Sequence, residues 1–213
     1  GMTLAATHRE DLWLNASTHG LGFLASLVVL PWLIMQAFSR GDIWHQASFS
    51  VYGVSLVLLF LASTAYHATS CPVRKLQLRL VDHAMIFLFI AASYTPYCLT
   101  VLRGPWGWAL FSVAWIVALC GVGFKVFSKS RYSLITVLLY LAMAWMSMVA
   151  IQPLWASLSP MSLTLLLFAG GFFTLGIVFY VLDRRPGFHA LWHLFVLAGC
   201  ASLTGSVVHI LPA

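Results

Sequence analysis

The 213-residue chain is 62% hydrophobic and only 8% charged, with a mean hydropathy of +0.95. Such a composition excludes an ordinary soluble domain and leaves a polytopic membrane protein, with room for about seven spans of roughly 20 residues and none for a separate soluble domain. The net charge of +6 does not indicate a nucleic-acid partner, because the basic residues fall in short clusters between apolar runs, where they report membrane topology.

The expected fold is all-α, a single seven-transmembrane domain over residues 1–213. Residues 1–17 form a polar N-terminal segment, and spans lie near 18–38, 47–68, 80–102, 106–125, 132–152, 161–182 and 187–210. Gly41, Pro72, Gly104-Pro105, Pro153, Pro160 and Pro186-Gly187 mark boundaries. The second loop carries Arg74, Lys75 and Arg79, the fourth Lys125, Lys129 and Arg131, and the sixth Arg184 and Arg185. The odd loops hold only Arg40 and Arg103. The positive-inside rule therefore predicts a cytoplasmic N-terminus, with residues 1–17 on that side, and an external C-terminus.

That topology gathers polar residues from distant parts of the chain at one depth. Asn15, Thr18 and His19 open the first span, Ser63 and His67 end the second, Asp82 opens the third, and His189 and His193 open the seventh, all at the cytoplasmic end. His189 and His193 are one helical turn apart on one face. Imidazole is costly in hydrocarbon, so such a pair suggests a ligand in the protein interior. Three histidines with a nearby carboxylate suit a catalytic zinc site, in which three protein ligands leave a fourth position for water. His67, His189 and His193 are the expected ligands, Asp82 the proton acceptor for the water, and Ser63 a residue that holds a ligand or steadies an oxyanion. Imidazole also suits copper, nickel and iron, so the spacing leaves the metal open. Ordinary readings stand beside these: His67 as a helix-end residue, and Asp82 as a partner of Arg79 one turn earlier.

His83 points about 100° away from Asp82 on a helix and is expected to support the site or lie at the interface. His45 and His209 belong to the opposite end. Cys71, Cys98, Cys120 and Cys200 form no C-x-x-C pair and read as small packing residues. Gly170, Gly171 and Gly176 read as points of close helix packing in the sixth span. Trp44, Trp106, Trp108 and Trp155 fall near external ends, as in an aromatic belt.

The ordered set Asn15-Ala-Ser-Thr18-His19-Gly-Leu-Gly22, Ser63-Thr-Ala-Tyr-His67, Asp82-His83, Tyr94-Thr-Pro96 and His189-Ala-Leu-Trp-His193 resembles the hemolysin III family, the bacterial branch of the progestin and adipoQ receptor group. The similarity covers nearly the whole chain. It implies zinc at the positions of His67, His189 and His193, with the Asp82 position contacting the zinc-bound water and the Ser63 position nearby. It also implies kinship with membrane-embedded metal hydrolases that include alkaline ceramidases. Two positions depart from the family pattern. Leu12 stands where an acid is common, with Glu10 and Asp11 just upstream, and Leu203 stands where a further histidine is common.

The function expected is zinc-dependent hydrolysis of an amide or ester bond in a membrane lipid, in the bacterial inner membrane. The alternatives are a sensor or receptor of membrane state with a structural zinc, and, behind both, a pore. Sequence leaves the substrate and the oligomeric state open.

Overall fold

The computed structural model describes the backbone of residues 4–128 and 134–213, and side chains from residue 11 onward. Lys129 and Arg131 of the expected fourth loop lie outside the described residues. Eight α-helices and one 3-10 segment are described: α1 (Leu4–Arg40), α2 (Ile43–Ala68), α3 (Pro72–Leu99), α4 (Pro105–Ser128), α5 (Leu134–Trp145), the 3-10 turn Met146–Ala150, α6 (Ile151–Ser157), α7 (Pro160–Val181) and α8 (Phe188–Val208). Among the described residues seven helical stretches are long and apolar enough to cross a membrane, α5 to α6 counting as one. The fold is thus the expected seven-span, all-α bundle.

Local chemistry sets most of the helix ends. The Asp42 carboxylate accepts from the N–H groups of Trp44 (2.9 Å) and His45 (3.2 Å), and the His45 ring returns a bond to the Asp42 N–H, closing a capping box at the start of α2. Pro72 and Pro160 occupy the first turns of α3 and α7, where the missing N–H is no loss. Gly187 adopts φ 79°, a left-handed conformation that a side chain would strain, and so turns the chain from α7 into α8 directly before His189.

Several expected boundaries differ. The N-terminal segment expected as a polar lead-in is helical from Leu4 and continuous with the first span. Arg74, Lys75 and Arg79 lie in the first turns of α3 rather than in a loop, because Pro72 starts the helix there. Lys125, also assigned to a loop, is inside α4 and only 1% exposed.

The fifth span, expected as one helix ending before Pro153, instead breaks at Met146–Ala150 and resumes through Pro153 to Ser157. A proline ring clashes with the carbonyl four residues earlier, here Val149, and cannot donate to it. The Tyr94 hydroxyl stabilises the break, donating to the Met143 carbonyl (2.5 Å) and accepting from the Ser147 N–H (2.9 Å).

α1 packs on α2 and α8, α2 on α3, α3 on α4, and α7 on α8, while α5 touches α7 only sparsely. The main core runs through Leu33, Phe49, Tyr52, Phe60, Cys98 and Val207. A smaller one joins α3, α4 and α5 through Phe87, Ala91, Ala114, Ala118 and Tyr140. Gly107 admits the closest approach: a Cβ there would lie 2.2 Å from the Cys98 carbonyl and 2.4 Å from that of Leu102. Gly176 packs tightly as expected, a Cβ meeting Phe195 at 2.8 Å. Gly170 and Gly171 do not: a Cβ at either would meet nothing within 4 Å, and Gly170 lines the open cavity that reaches the gap between α5 and α7. Of the cysteines, Cys98 and Cys200 are buried and Cys71 and Cys120 exposed, and none forms a disulfide.

Candidate metal centre

His67 lies in the last turn of α2, and His189 and His193 in the first two turns of α8, so two helices of opposite direction deliver them to one end of the bundle. One ring nitrogen from each of the three lies within 4.8 Å of the others. His193 is 1% exposed and His67 is buried, while His189 is half-buried toward the end of the bundle. A rise of about 1.5 Å per residue sets His193, five residues into α8, roughly 7 Å inside the helix start.

The surroundings fix which nitrogens are free. His193 donates its Nδ1–H to the Asn15 carbonyl at 3.1 Å, since a carbonyl can only accept, and the Thr18 hydroxyl lies 2.9 Å from the same nitrogen. Thr18 in turn donates to the Leu14 carbonyl at 2.8 Å. His189 places Nδ1 3.1 Å from the Asp183 carboxylate. Both rings therefore hold their proton on Nδ1 and present a bare Nε2. The His189 Nε2 is 3.2 Å from the His67 Nε2, the separation of two nitrogens that share a proton or face a common cation. Neutral imidazoles, two of the three oriented by an acceptor on the other nitrogen, are the donor set a divalent transition metal requires, so the residues fit such an ion.

His19 adds a fourth ring. It stacks on His193 with centroids 3.4 Å apart and planes 12° from parallel, and its Nδ1 lies 2.5 Å from the Ser63 hydroxyl. Its Nε2 is buried with no hydrogen-bond partner. Ser63 is thus engaged with His19, and through it braces the face of His193. Asn15, Thr18 and His19, which sequence placed only at the right depth, make direct contact with His193.

Asp82 and His83 line the same cavity as His189 and His193. The two ion pairs among the described residues are His45–Asp42 and His189–Asp183, so the alternative pairing of Asp82 with Arg79 does not occur. His83, expected as a supporting or interfacial residue, is buried. Asp183 was missed: it reads as one acid in a basic loop, and nothing in its spacing of six from His189 reveals that the turn through Gly187 folds it back.

The cavity holds about 200 Å³ and runs from the histidines along the bundle to Leu102, Leu110, Leu163 and Leu203, and beyond its polar end it is walled mainly by apolar side chains. It reaches the gap between α5 and α7, spanned by a bond from the Trp145 indole N–H to the Thr174 hydroxyl (3.1 Å). At the far end Tyr97 donates to Ser206 (2.6 Å), and Ser206 and Ser162 exchange bonds with each other's carbonyls (2.7 and 2.8 Å), tying α3, α7 and α8 together.

Fold and site together define a seven-helix membrane protein with a histidine cluster at one end of an apolar cavity. The family model of haemolysin-III-related proteins matches residues 7–204, and the chain belongs to that family. It is 40% identical over 197 residues to a hemolysin-3 homolog of Bacillus subtilis, with 92% of each chain covered. It is also 40% identical to hemolysin-3 of Bacillus cereus, with 93% of this chain and 91% of that one covered. The human monocyte to macrophage differentiation factor is 30% identical across 88% of this chain and 79% of its own length, which fits the link to the progestin and adipoQ receptor group. No solved structure gives a significant match.

Proposed function

We propose that the chain is a zinc-dependent hydrolase that cleaves an amide or ester bond of a membrane lipid, with His67, His189 and His193 holding the ion. The observation that carries this reading is a histidine triad of which His189 and His193 line an apolar cavity whose polar end also holds Asp82. A zinc ion bound there would supply an acidified water and a polarised carbonyl, the chemistry of hydrolysis.

The chain's own residues do the rest. The cavity accepts the acyl chain, and its leucine walls keep bulk water from the bond. The Asp82 carboxylate takes the proton of the attacking water and returns it to the departing amine or alcohol. Asn15 and Thr18 hold the His193 ring from one side and Asp183 holds His189 from the other, so the donor nitrogens are aligned before any ion arrives. Ser63 positions His19 against His193.

The reaction is tested with purified protein and a panel of ceramides, acyl amides and phospholipids. Release of free fatty acid that depends on zinc supports it; a zinc-loaded, folded protein inert toward the whole panel overturns it. The basic residues clustered where α2 meets α3, where α4 ends and where α7 meets α8 favour a cytoplasmic site in a bacterial inner membrane.

A second reading is favoured by one feature: the triad joins α2 to α8, and Asn15 ties α1 to the same point. In that reading the metal clamps three helices in a sensor of membrane state, and chelation lowers the melting temperature with no turnover to lose. A conducting pore fits poorly, because the cavity beyond the histidines is lined mainly by apolar side chains and offers no continuous polar path.

A further inference from the structure

A second polar layer lies beside the metal centre, between α3, α4 and α5. Toward the site end, α3 and α4 pack closely where a Cβ on Gly121 would lie 2.6 Å from the Phe87 ring, and Phe87 meets the Tyr140 ring of α5 at 4.6 Å. α3 and α5 run away from the site end and α4 returns to it. One turn toward that end from these contacts therefore brings His83, Lys125 and Thr136 to a common level, with Arg79 a turn beyond. The bond from the Tyr140 hydroxyl to the His83 carbonyl (2.8 Å) fixes the register of α5.

This layer is cationic and short of partners, and all of it is buried except the half-buried Arg79. Lys125 is 1% exposed, Thr136 2% and His83 8%. Arg79 Nε, His83 Nδ1 and Thr136 Oγ1 are buried with no hydrogen-bond partner, three of the four such side-chain atoms among the described residues. No carboxylate lies within 4 Å of Lys125 or Arg79, since both described ion pairs are elsewhere.

The chain has no acid left to supply. Of its five, Asp42 caps α2 at the opposite end, Asp183 holds His189, and Asp82 pairs with neither cation. Glu10 and Asp11 belong to α1, which packs on α2 and α8. Residues 129–133 read Lys-Ser-Arg-Tyr-Ser and can add only positive charge. A buried lysine beside a half-buried arginine in a membrane segment, with no carboxylate paired to either, is costly, so an external anion completes the layer.

We propose that Lys125, Arg79, His83 and Thr136 form a binding site for the phosphate headgroup of an anionic phospholipid. The flanks match a lipid source. Phe124, Phe127, Leu134 and Leu138 are exposed apolar side chains around the layer, with Phe127 88% exposed, a surface suited to acyl chains beside an inserted phosphate. The site is separate from the catalytic reading and needs no turnover.

The test is native mass spectrometry of the full-length protein titrated with phosphatidylglycerol, with phosphatidylcholine as the zwitterionic control. Wild type should retain phosphatidylglycerol preferentially. Lys125→Gln and Arg79→Gln should each weaken that binding about fivefold, and Lys125→Arg should preserve it. Zinc content should be the same in all of them. Competition by inorganic phosphate at millimolar concentration would support a headgroup contact; displacement only by a second phospholipid would assign more of the affinity to the acyl chains while keeping the charge dependence. Equal retention of the two lipids by wild type, or equal phosphatidylglycerol binding by wild type and both Gln variants, would overturn the proposal.

Discussion

At the scale of single residues, the site is a set of imidazoles of which His189 and His193 have their outer nitrogens already engaged, by Asp183 and by Asn15. Asp183 is the sharpest case, because its carboxylate holds His189 from an exposed turn and touches nothing else in the cluster. Asp183→Ala should weaken zinc binding about 10- to 100-fold in a chelator competition, with the bundle still folded; an unchanged affinity would show that the contact does not orient the ligand. Asp82→Asn should reduce lipid cleavage by about 10²- to 10⁴-fold while leaving zinc content intact. Full cleavage by that variant would remove Asp82 from the chemistry. The ligand candidates were legible in sequence because histidine and aspartate are rare in spans and stand out. Lys125 was not: a lysine near a span end reads as loop charge, and only the packing of α4 on α3 shows it buried.

Among the elements, glycine decides how closely helices meet. A methyl group on Gly107 would enter the carbonyls that end α3, where backbone cannot give way, whereas one on Gly171 would enter open space. Gly107→Ala should therefore destabilise the protein by about 1–3 kcal/mol or more, and Gly171→Ala should be neutral or stabilising by about 0.5–1 kcal/mol. Melting temperatures of the two variants in one detergent check this, and equal shifts would contradict the assigned packing. Hydropathy and turn residues revealed the seven spans, since both act locally. The break in the fifth span was hidden because it arises from Pro153 together with a tertiary contact, the Tyr94 hydroxyl inserted into the backbone ladder. Gly170 and Gly171 misled for a related reason: small residues mark close packing only where a neighbouring helix is present, and α5 stands away from α7.

Over the whole molecule, the bundle places a hydrophilic cluster at one end of a hydrocarbon-walled cavity, and the distribution of Lys and Arg is expected to put that end in the cytoplasm. Cys71, exposed at the start of α3, gives a native probe of that orientation. A membrane-impermeant maleimide should label it in inverted inner-membrane vesicles and not in intact spheroplasts, with Cys71→Ser as the control. Labelling from the outer face would reverse the topology. Sequence had placed Asn15, Ser63, His67, Asp82, His189 and His193 at one depth by counting spans. Which of them touch depends on helix rotation and on the order of helices around the bundle, which no local pattern encodes.

The central claim is that His67, His189 and His193 hold one metal ion. Elemental analysis of the purified protein beside His67→Ala tests it most directly. About one zinc per chain in wild type, lost in the folded variant, is the predicted result; a wild-type protein without stoichiometric metal after growth and purification in the presence of zinc, or a variant that keeps its zinc, would contradict it.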